Sequence, residues 1–108
     1  MKRMLRHSLI VLGIITCSCV QAYAAQGIVV YRQSGCDYFV VQTAKGYDIL
    51  EWFGGWDPDK GDLLIGNFGT YGMHDIRDST VDEAVTVWVE EFWLSKADAL
   101  ENLVEQCE

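Results

Sequence analysis

His74 and Asp75 are the residues of this chain whose types most directly suggest catalysis. A histidine oriented by a carboxylate can act as a general base, and hydrolases commonly use such a pair. Adjacent residues of a β-strand point to opposite faces of a sheet, however, so the two side chains are not expected to meet. No serine or cysteine stands in a recognisable nucleophile context either. A small periplasmic hydrolase that uses His74 with a carboxylate is therefore the alternative hypothesis, and no catalytic residue is assigned.

Paired carboxylates occur twice, at Asp82-Glu83 and at Glu90-Glu91. Glycoside hydrolysis needs two carboxyl groups that face each other across a cleft. A domain of this size offers little room for such a cleft. Both pairs are therefore expected at solvated strand ends or edges.

The segment Asp57-Pro58-Asp59-Lys60-Gly61-Asp62 is rich in the oxygen donors that calcium prefers. An EF-hand places Gly at its sixth position and Glu at its twelfth, whereas counting from Asp57 gives Asp62 and Phe68. The proline and the glycine favour a β-turn that begins at Asp57 instead. We therefore expect no metal site and no cofactor.

The N-terminal segment has the three parts of a secretory signal peptide. Three basic residues lie within the first six positions, an apolar run follows, and Ala22-Tyr23-Ala24 supplies the small residues that a signal peptidase reads. We expect cleavage after Ala24, which removes residues 1–24, with cleavage after Ala25 as the alternative. Residues 25–108 then form one small domain that works in the periplasm or outside the cell.

Two other fates of this segment agree less well with its residues. The apolar run spans about a dozen residues, whereas a membrane-spanning helix needs roughly 20, so a retained anchor is disfavoured. A lipoprotein signal requires a small residue before the modified cysteine, but Thr16 and Ser18 precede Cys17 and Cys19. No stable membrane anchor is therefore expected after cleavage.

The acidic charge of the chain grows once the leader is removed. The sequence has 16 acidic and eight basic residues, and three of the basic residues lie in the leader, so the formal net charge falls from −8 to near −11. Such a surface repels phosphate backbones and anionic lipid headgroups. It disfavours nucleic acid and membrane surfaces as partners and favours a basic protein or a cationic ligand, although acidic charge also serves solubility.

Cys36 and Cys107 are the two cysteines that remain after cleavage. An even pair in an exported protein predicts a disulfide. Closing a loop of about 70 residues stabilises the fold by ~4 kcal/mol on the chain-entropy model. A reactive thiol or a two-cysteine metal site is the less favoured alternative.

Large aromatic residues are frequent for so short a chain. A small domain uses such rings to fill its core, and we expect Trp52, Phe92 and Trp93 to be buried there. Trp56 lies in a glycine-rich loop, and Trp88 alternates with polar residues along its strand. Core and surface positions are equally consistent with these last two tryptophans.

Trp56 and Trp88, together with Asp57 and Glu90, form the predicted binding face. Exposed tryptophans near carboxylates can stack on sugars, hold cations or act as hot spots for a protein partner. The acidic net charge favours a cationic partner among these.

The hydrophobic pattern has mostly a period of two, which indicates strands. Residues 37–43 and 47–53 are predicted to form a hairpin, connected by a three-residue loop that ends at Gly46. Further strands are predicted over 28–33, 63–68 and 84–92. A glycine-rich bend follows the second of these, and residues 73–78 are predicted to continue that strand.

The last element is predicted to be a helix. Ser95 and Asp98 have the spacing of a capping box, and Ala97, Leu100, Leu103, Val104 and Cys107 recur at helical spacing. Cys107 on this apolar stripe faces the sheet, in agreement with a bond to Cys36.

These elements predict an α+β domain: a small antiparallel curled sheet or partly open barrel, OB-like or SH3-like, of four to five strands plus one C-terminal helix. The first functional hypothesis is an exported, acidic binding module without catalytic activity. Its partner would be a basic protein, as for an inhibitor of a cationic enzyme or an envelope accessory. A structural accessory of the cell envelope without a small ligand is the third hypothesis, after the hydrolase.

Overall fold

The computed structural model describes residues 25–108, and the predicted leader lies outside the described residues. Six strands precede one helix: β1 (Ala25–Arg32), β2 (Tyr38–Thr43), β3 (Gly46–Gly55), β4 (Leu63–Gly66), β5 (Gly72–Asp78), β6 (Glu83–Leu94) and α1 (Lys96–Gln106).

The strands form a closed antiparallel barrel in the order β1-β2-β3-β6-β5-β4. The barrel closes where β1 pairs with β4, with Gln26 opposite Ile65. The expected antiparallel curled or barrel-like sheet with one C-terminal helix is confirmed in outline, but the barrel has six strands and not four to five. In this barrel each strand pairs with two neighbours, although the short β4 covers only part of β1 and β5. We call the end where β1, β3 and β5 begin the upper end, and the opposite end the lower end.

The sixth strand arises because the chain reverses between β4 and β5. The Asn67 side chain accepts a hydrogen bond from Gly69 N–H (3.0 Å) and donates one to Thr70 Oγ1 (3.1 Å). Gly72 follows with a φ of 105°, which favours glycine. Residues 63–78 are therefore two paired antiparallel strands and not one interrupted strand.

The predicted hairpin of β2 and β3 is confirmed, but its loop is shorter than expected. Thr43 pairs with Gly46, so the loop contains only Ala44 and Lys45. The aspartate-rich turn is also displaced. Asp62 N–H donates to the Asp59 carbonyl (3.0 Å), so the turn begins at Asp59 and not at Asp57.

Two hydrophobic clusters hold the domain together. The barrel interior contains alternate strand residues and the loop residue Phe68: Val29, Phe39, Val41, Leu50, Leu64, Phe68, Ile76, Val85, Val87 and Val89. The second cluster lies between α1 and the outer faces of β2 and β3, and contains Val40, Ile49, Ala99 and Leu103. Strands β2 and β3 are therefore apolar on both faces because each face is covered.

The helix begins as predicted, with Asp98 N–H donating to Ser95 Oγ (3.1 Å). Its buried stripe differs from the expected one. Ala99 and Leu103 are buried, whereas Ala97 is exposed and Val104 is 62% exposed. The apolar residues of α1 form two neighbouring stripes, and the stripe that contains Ala99 packs against the sheet.

The predicted disulfide is confirmed between Cys36 and Cys107, whose Cα atoms are 5.6 Å apart. It joins the end of α1 to the β1–β2 connection. A disulfide in a domain of this size is compatible with export. Within residues 25–108, no helix is both long and apolar enough to cross a bilayer.

Candidate functional site

The four predicted binding residues lie in two separate places. Trp88 and Glu90 lie on the outer face of β6. Trp56 and Asp57 lie in the β3–β4 connection at the lower end, where Trp56 N–H donates to the Ala84 carbonyl (3.0 Å). Four residues of β6, roughly 13 Å of strand, separate Ala84 from Trp88. The structure therefore does not bring the four residues together as one face.

Trp88 belongs to a row of exposed apolar side chains that crosses three strands. It pairs with Glu51 of β3 and with Met73 of β5. Phe53 follows Glu51 on the same face, at a β-bulge. The exposed fractions are 38% for Trp88, 48% for Met73 and 51% for Phe53. Sequence reasoning identified Trp88 but missed Phe53 and Met73, because only the pairing of β3, β6 and β5 brings these residues beside Trp88.

Carboxylates border this row. Burial raises the pKa of Tyr38, and the charge of Glu51, its hydrogen bond with Tyr38 and the charge of Glu90 raise it further. Asp75 lies on the same outer face and accepts a hydrogen bond from Thr86 Oγ1 (2.8 Å). We define the outer-face patch as Glu51, Phe53, Met73, Asp75, Trp88 and Glu90. The ion pairs found within residues 25–108, Arg32–Asp57 and Arg77–Asp82, leave its three carboxylates without a basic partner.

Asp57 has a cationic partner of its own. Its carboxylate pairs with Arg32, whose guanidinium lies 4.8 Å from the ring centroid of Phe39. The ion pair ties the β3–β4 connection to β1. Asp57 therefore serves to hold this loop, and its charge is already compensated within the domain.

Trp56 faces a pair of buried carboxyl groups at the lower end. Asp78 is fully buried and Asp62 nearly so. Asp62 accepts a hydrogen bond from Asp59 N–H (3.0 Å), and Asp78 accepts one from Thr80 N–H (3.0 Å). Trp52 also contributes to this end, with its indole N–H donating to the Trp56 carbonyl (3.0 Å).

The two carboxyl groups have opposite pKa shifts. Burial raises the pKa of Asp78 to about 6, helped by its hydrogen bond to Asp62 and by the negative charge of Asp62. Burial also opposes ionisation of Asp62, but hydrogen bonds from Asp78, from the Asp59 amide and from Trp56 outweigh it and lower the pKa of Asp62. Below about pH 6 the pair therefore shares one proton, which lies on Asp78. Sequence reasoning missed this pair, although strand alternation places Asp78 on the same inward face of β5 as Ile76, two residues earlier.

His74 stabilises a loop. Its Nε2 lies 3.1 Å from Thr70 Oγ1 and 3.0 Å from the Thr70 carbonyl oxygen. Within residues 25–108, no carboxylate forms a hydrogen bond with His74. Asp75 points to the opposite face of β5, as the alternation predicts. The contacts of His74 therefore fit the β4–β5 reversal better than a catalytic site.

A pocket of about 510 Å³ lies at the upper end of the barrel, and its walls include Asp48, Lys45 and Trp93. Asp48 is fully buried. Its Oδ1 accepts a hydrogen bond from Trp93 N–H (2.8 Å), whereas Oδ2 has no hydrogen-bond partner within residues 25–108. Burial raises the pKa of Asp48 to about 6, although the Trp93 amide opposes the shift. Sequence reasoning did not select Asp48, and its only signal was an inward position two residues before Leu50.

Trp93 departs from its expected place in the core. It is 49% exposed, and its φ of 60° is unusual for a residue other than glycine. Lys45 Nζ lies 4.6 Å from the centroid of its ring. Trp52 and Phe92, by contrast, pack against the barrel core as expected. The change of backbone direction at Trp93 turns its ring out of the core to the pocket.

Residues 25–108 contain no cluster of three His, Cys, Asp or Glu side chains that could hold a metal ion. The chain matches no protein-family model, and comparisons with curated proteins and with solved structures find no significant match. Function is therefore inferred from the geometry of the described residues.

Proposed function

We propose that this domain is an exported, non-enzymatic binding module that binds a basic protein through the outer-face patch. The observation that carries the proposal is the row Phe53–Trp88–Met73, exposed on three adjacent strands and bordered by carboxylates that have no basic partner within residues 25–108. The proposed acidic, tryptophan-bearing surface therefore includes Trp88 and Glu90 of the residues expected from the sequence, without Trp56 and Asp57.

The apolar row supplies contact area on a rigid support. Tryptophan is enriched among the residues that dominate binding energy at protein interfaces, because it buries a large area with few rotatable bonds. Trp88 lies at the middle of the row, between Glu51 and Met73. Because Trp88 lies on a strand that is paired on both sides, a partner contacts the row through side chains and not by adding a strand.

The negative charge of the outer-face patch favours a cationic partner. Glu51, Asp75 and Glu90 lie around the apolar row, and a lysine or arginine of a partner can pair with them while its aliphatic stem covers the ring of Trp88. The acidic net charge of the whole domain also accelerates the approach of a cationic partner. A cationic enzyme that the domain inhibits and a basic envelope protein both meet this description.

The proposal is tested with two peptides that share the same leucines. One alternates leucine with lysine and the other alternates leucine with glutamate. We expect the basic peptide to bind the exported protein, with changes in the NMR signals of Phe53, Met73 and Trp88 and with affinity that falls as salt rises. The acidic peptide is expected not to bind.

Matched variants locate the surface. Trp88→Ala is expected to weaken binding of the basic peptide by at least about tenfold, as for an interface hot spot, and Glu90→Gln by a smaller factor. Val104→Ala, at an exposed apolar position of α1, is the control and should leave affinity unchanged. Equal affinity in the Trp88→Ala variant, or equal binding of both peptides, would contradict the proposal.

A further inference from the structure

The pocket at the upper end of the barrel combines a buried acid with the beginning of β1. Its walls include Ala25 and Gln26, the first two described residues, together with Asp48 and Lys45. The Ala25 side chain packs against the barrel core, and Ala25 pairs with Gly66 of β4. The start of β1 is therefore held at the pocket by contacts on two sides.

Asp48 forms no ion pair within residues 25–108. Its Oδ2 is buried and has no hydrogen-bond partner within residues 25–108, and the ion pairs found there do not include it. The basic side chain on the pocket wall is Lys45, and its Nζ lies over the ring of Trp93. A buried carboxylate is stable only when a cation or additional hydrogen bonds compensate it.

We propose that this pocket binds a primary ammonium group, and that its occupant in the exported protein is the α-ammonium of Ala25, created when the leader is removed after Ala24. Before cleavage the nitrogen of Ala25 is a neutral amide. After cleavage it carries a positive charge and additional N–H donors, on a residue that lines the same pocket as Asp48. Processing therefore adds a positive charge to the residues around this buried carboxylate.

The dimensions of the pocket support this pairing. A sphere of about 510 Å³ is roughly 10 Å across, and this distance is about one Debye length at 0.1 M salt, so charges around a pocket of this volume interact. The interaction is also stronger there than in bulk water, because Asp48 is fully buried.

The alternative cleavage after Ala25 does not give the same result once the new terminal Gln26 cyclises, because cyclisation releases ammonia and removes the charge.

The coupling is reciprocal, which provides two independent measurements. The α-ammonium favours ionised Asp48 and lowers its pKa, while ionised Asp48 holds the proton on the α-amine and raises the pKa of that group. Lys45 contributes to the same field, and Lys45→Met shows whether it compensates Asp48 in place of the terminus.

The experiment compares three forms of residues 25–108, each released from a fusion partner so that Ala25 is the first residue: the free amine, the N-acetylated chain and the free-amine Asp48→Asn variant. Carboxyl pKa values are measured by ¹³C NMR. We expect the pKa of Asp48 to be about one unit lower with the free amine than after acetylation. The pKa of Asp78, at the opposite end of the barrel, should be the same in both and serves as the internal control.

Two further readouts decide the occupant. Methylammonium is expected to lower the pKa of Asp48 in the acetylated chain and to have no effect on the free-amine chain, whose site is already filled. The α-amine should titrate above its ordinary value of about 7.7–8.0 in the free-amine chain and return to it in Asp48→Asn. An Asp48 pKa that acetylation does not change would overturn the proposal.

The natural terminus is determined separately, by the intact mass of the protein after export. A chain that begins at Ala25 supports the proposal. A chain that keeps its leader, or one that begins at a cyclised Gln26, overturns it.

Discussion

Asp48 accepts a hydrogen bond from the backbone N–H of Trp93 at 2.8 Å, although the two residues are 45 positions apart. The bond joins the start of β3 to the end of β6, where Trp93 adopts a φ of 60°. Such a backbone conformation is unfavourable for a tryptophan unless surrounding contacts impose it. The buried carboxylate therefore has a structural function, since it fixes the direction in which the chain leaves the barrel before α1.

Two substitutions of Asp48 separate the contribution of its hydrogen bond to Trp93 from the contribution of its charge. Asp48→Ala leaves the Trp93 amide without an acceptor, and we expect a loss of about 1–3 kcal/mol in the free energy of unfolding. Asp48→Asn keeps an oxygen for that amide and should lose less than half as much. Urea unfolding at pH 7 measures both, with the exposed Glu101→Ala as the control. Equal losses in the two Asp48 variants would show that the hydrogen bond to Trp93 contributes little.

The carboxyl pair at the lower end makes stability depend on pH. The pKa of Asp78 is raised from 3.8 to about 6, so its contribution is fully present below about pH 3.8 and is lost as the pH rises through 6. The pKa of Asp62 is lowered, so its contribution is lost as the pH falls below 3.8. The pair therefore stabilises the domain most near pH 4.

Asp78→Asn tests this sign, because an amide can donate to Asp62 at every pH. Relative to the natural protein, the variant should gain roughly 1–3 kcal/mol in the free energy of unfolding between pH 4.5 and pH 7.5, at about 1.4 kcal/mol per unit of pKa shift. Chemical unfolding at both pH values gives the difference. A variant whose stability follows that of the natural protein across this range would exclude a shared proton.

The local elements of this fold could be predicted where one segment contains the whole signal. The alternation in β2, β3 and β6 and the cap at Ser95 are properties of short stretches, and these predictions agree with the structure. The reversal after β4 was missed because it depends on the side chain of Asn67, which closes a turn that a strand pattern does not show. Closure of the barrel depends on β1 and β4, which are far apart in sequence.

The candidate sites show the same limit. Trp88 was identified because a large ring alternates with polar residues, but its neighbours Phe53 and Met73 come from other strands. The inward positions of Asp48 and Asp78 were visible in the alternation. Burial of a carboxylate, however, depends on the partners that tertiary structure brings to it, and those partners are not sequence neighbours.

The bond between Cys36 and Cys107 is expected to contribute much of the stability. It closes a sequence separation of 71 residues, and the double variant Cys36→Ser/Cys107→Ser should lose about 4 kcal/mol on the chain-entropy model. Urea unfolding of the natural and double-variant proteins measures the loss. Alkylation of residues 25–108 before reduction should modify no thiol, and modification of two thiols would show that the bond does not form.

Gly55 and Gly54 provide a matched test of the path by which β3 leaves the barrel. Gly55 has a φ of 77°, and a Cβ added there would lie 2.5 Å from the Ala84 carbonyl oxygen, whereas a Cβ at Gly54 would meet nothing within 4 Å. Gly55→Ala must therefore adopt a strained backbone and also push β6 away, and we expect a loss of about 2 kcal/mol or more. Gly54→Ala should change stability by less than about 1 kcal/mol. Thermal or urea unfolding of the two variants compares them directly, and equal stabilities would mean that the contact between Gly55 and Ala84 is readily relaxed.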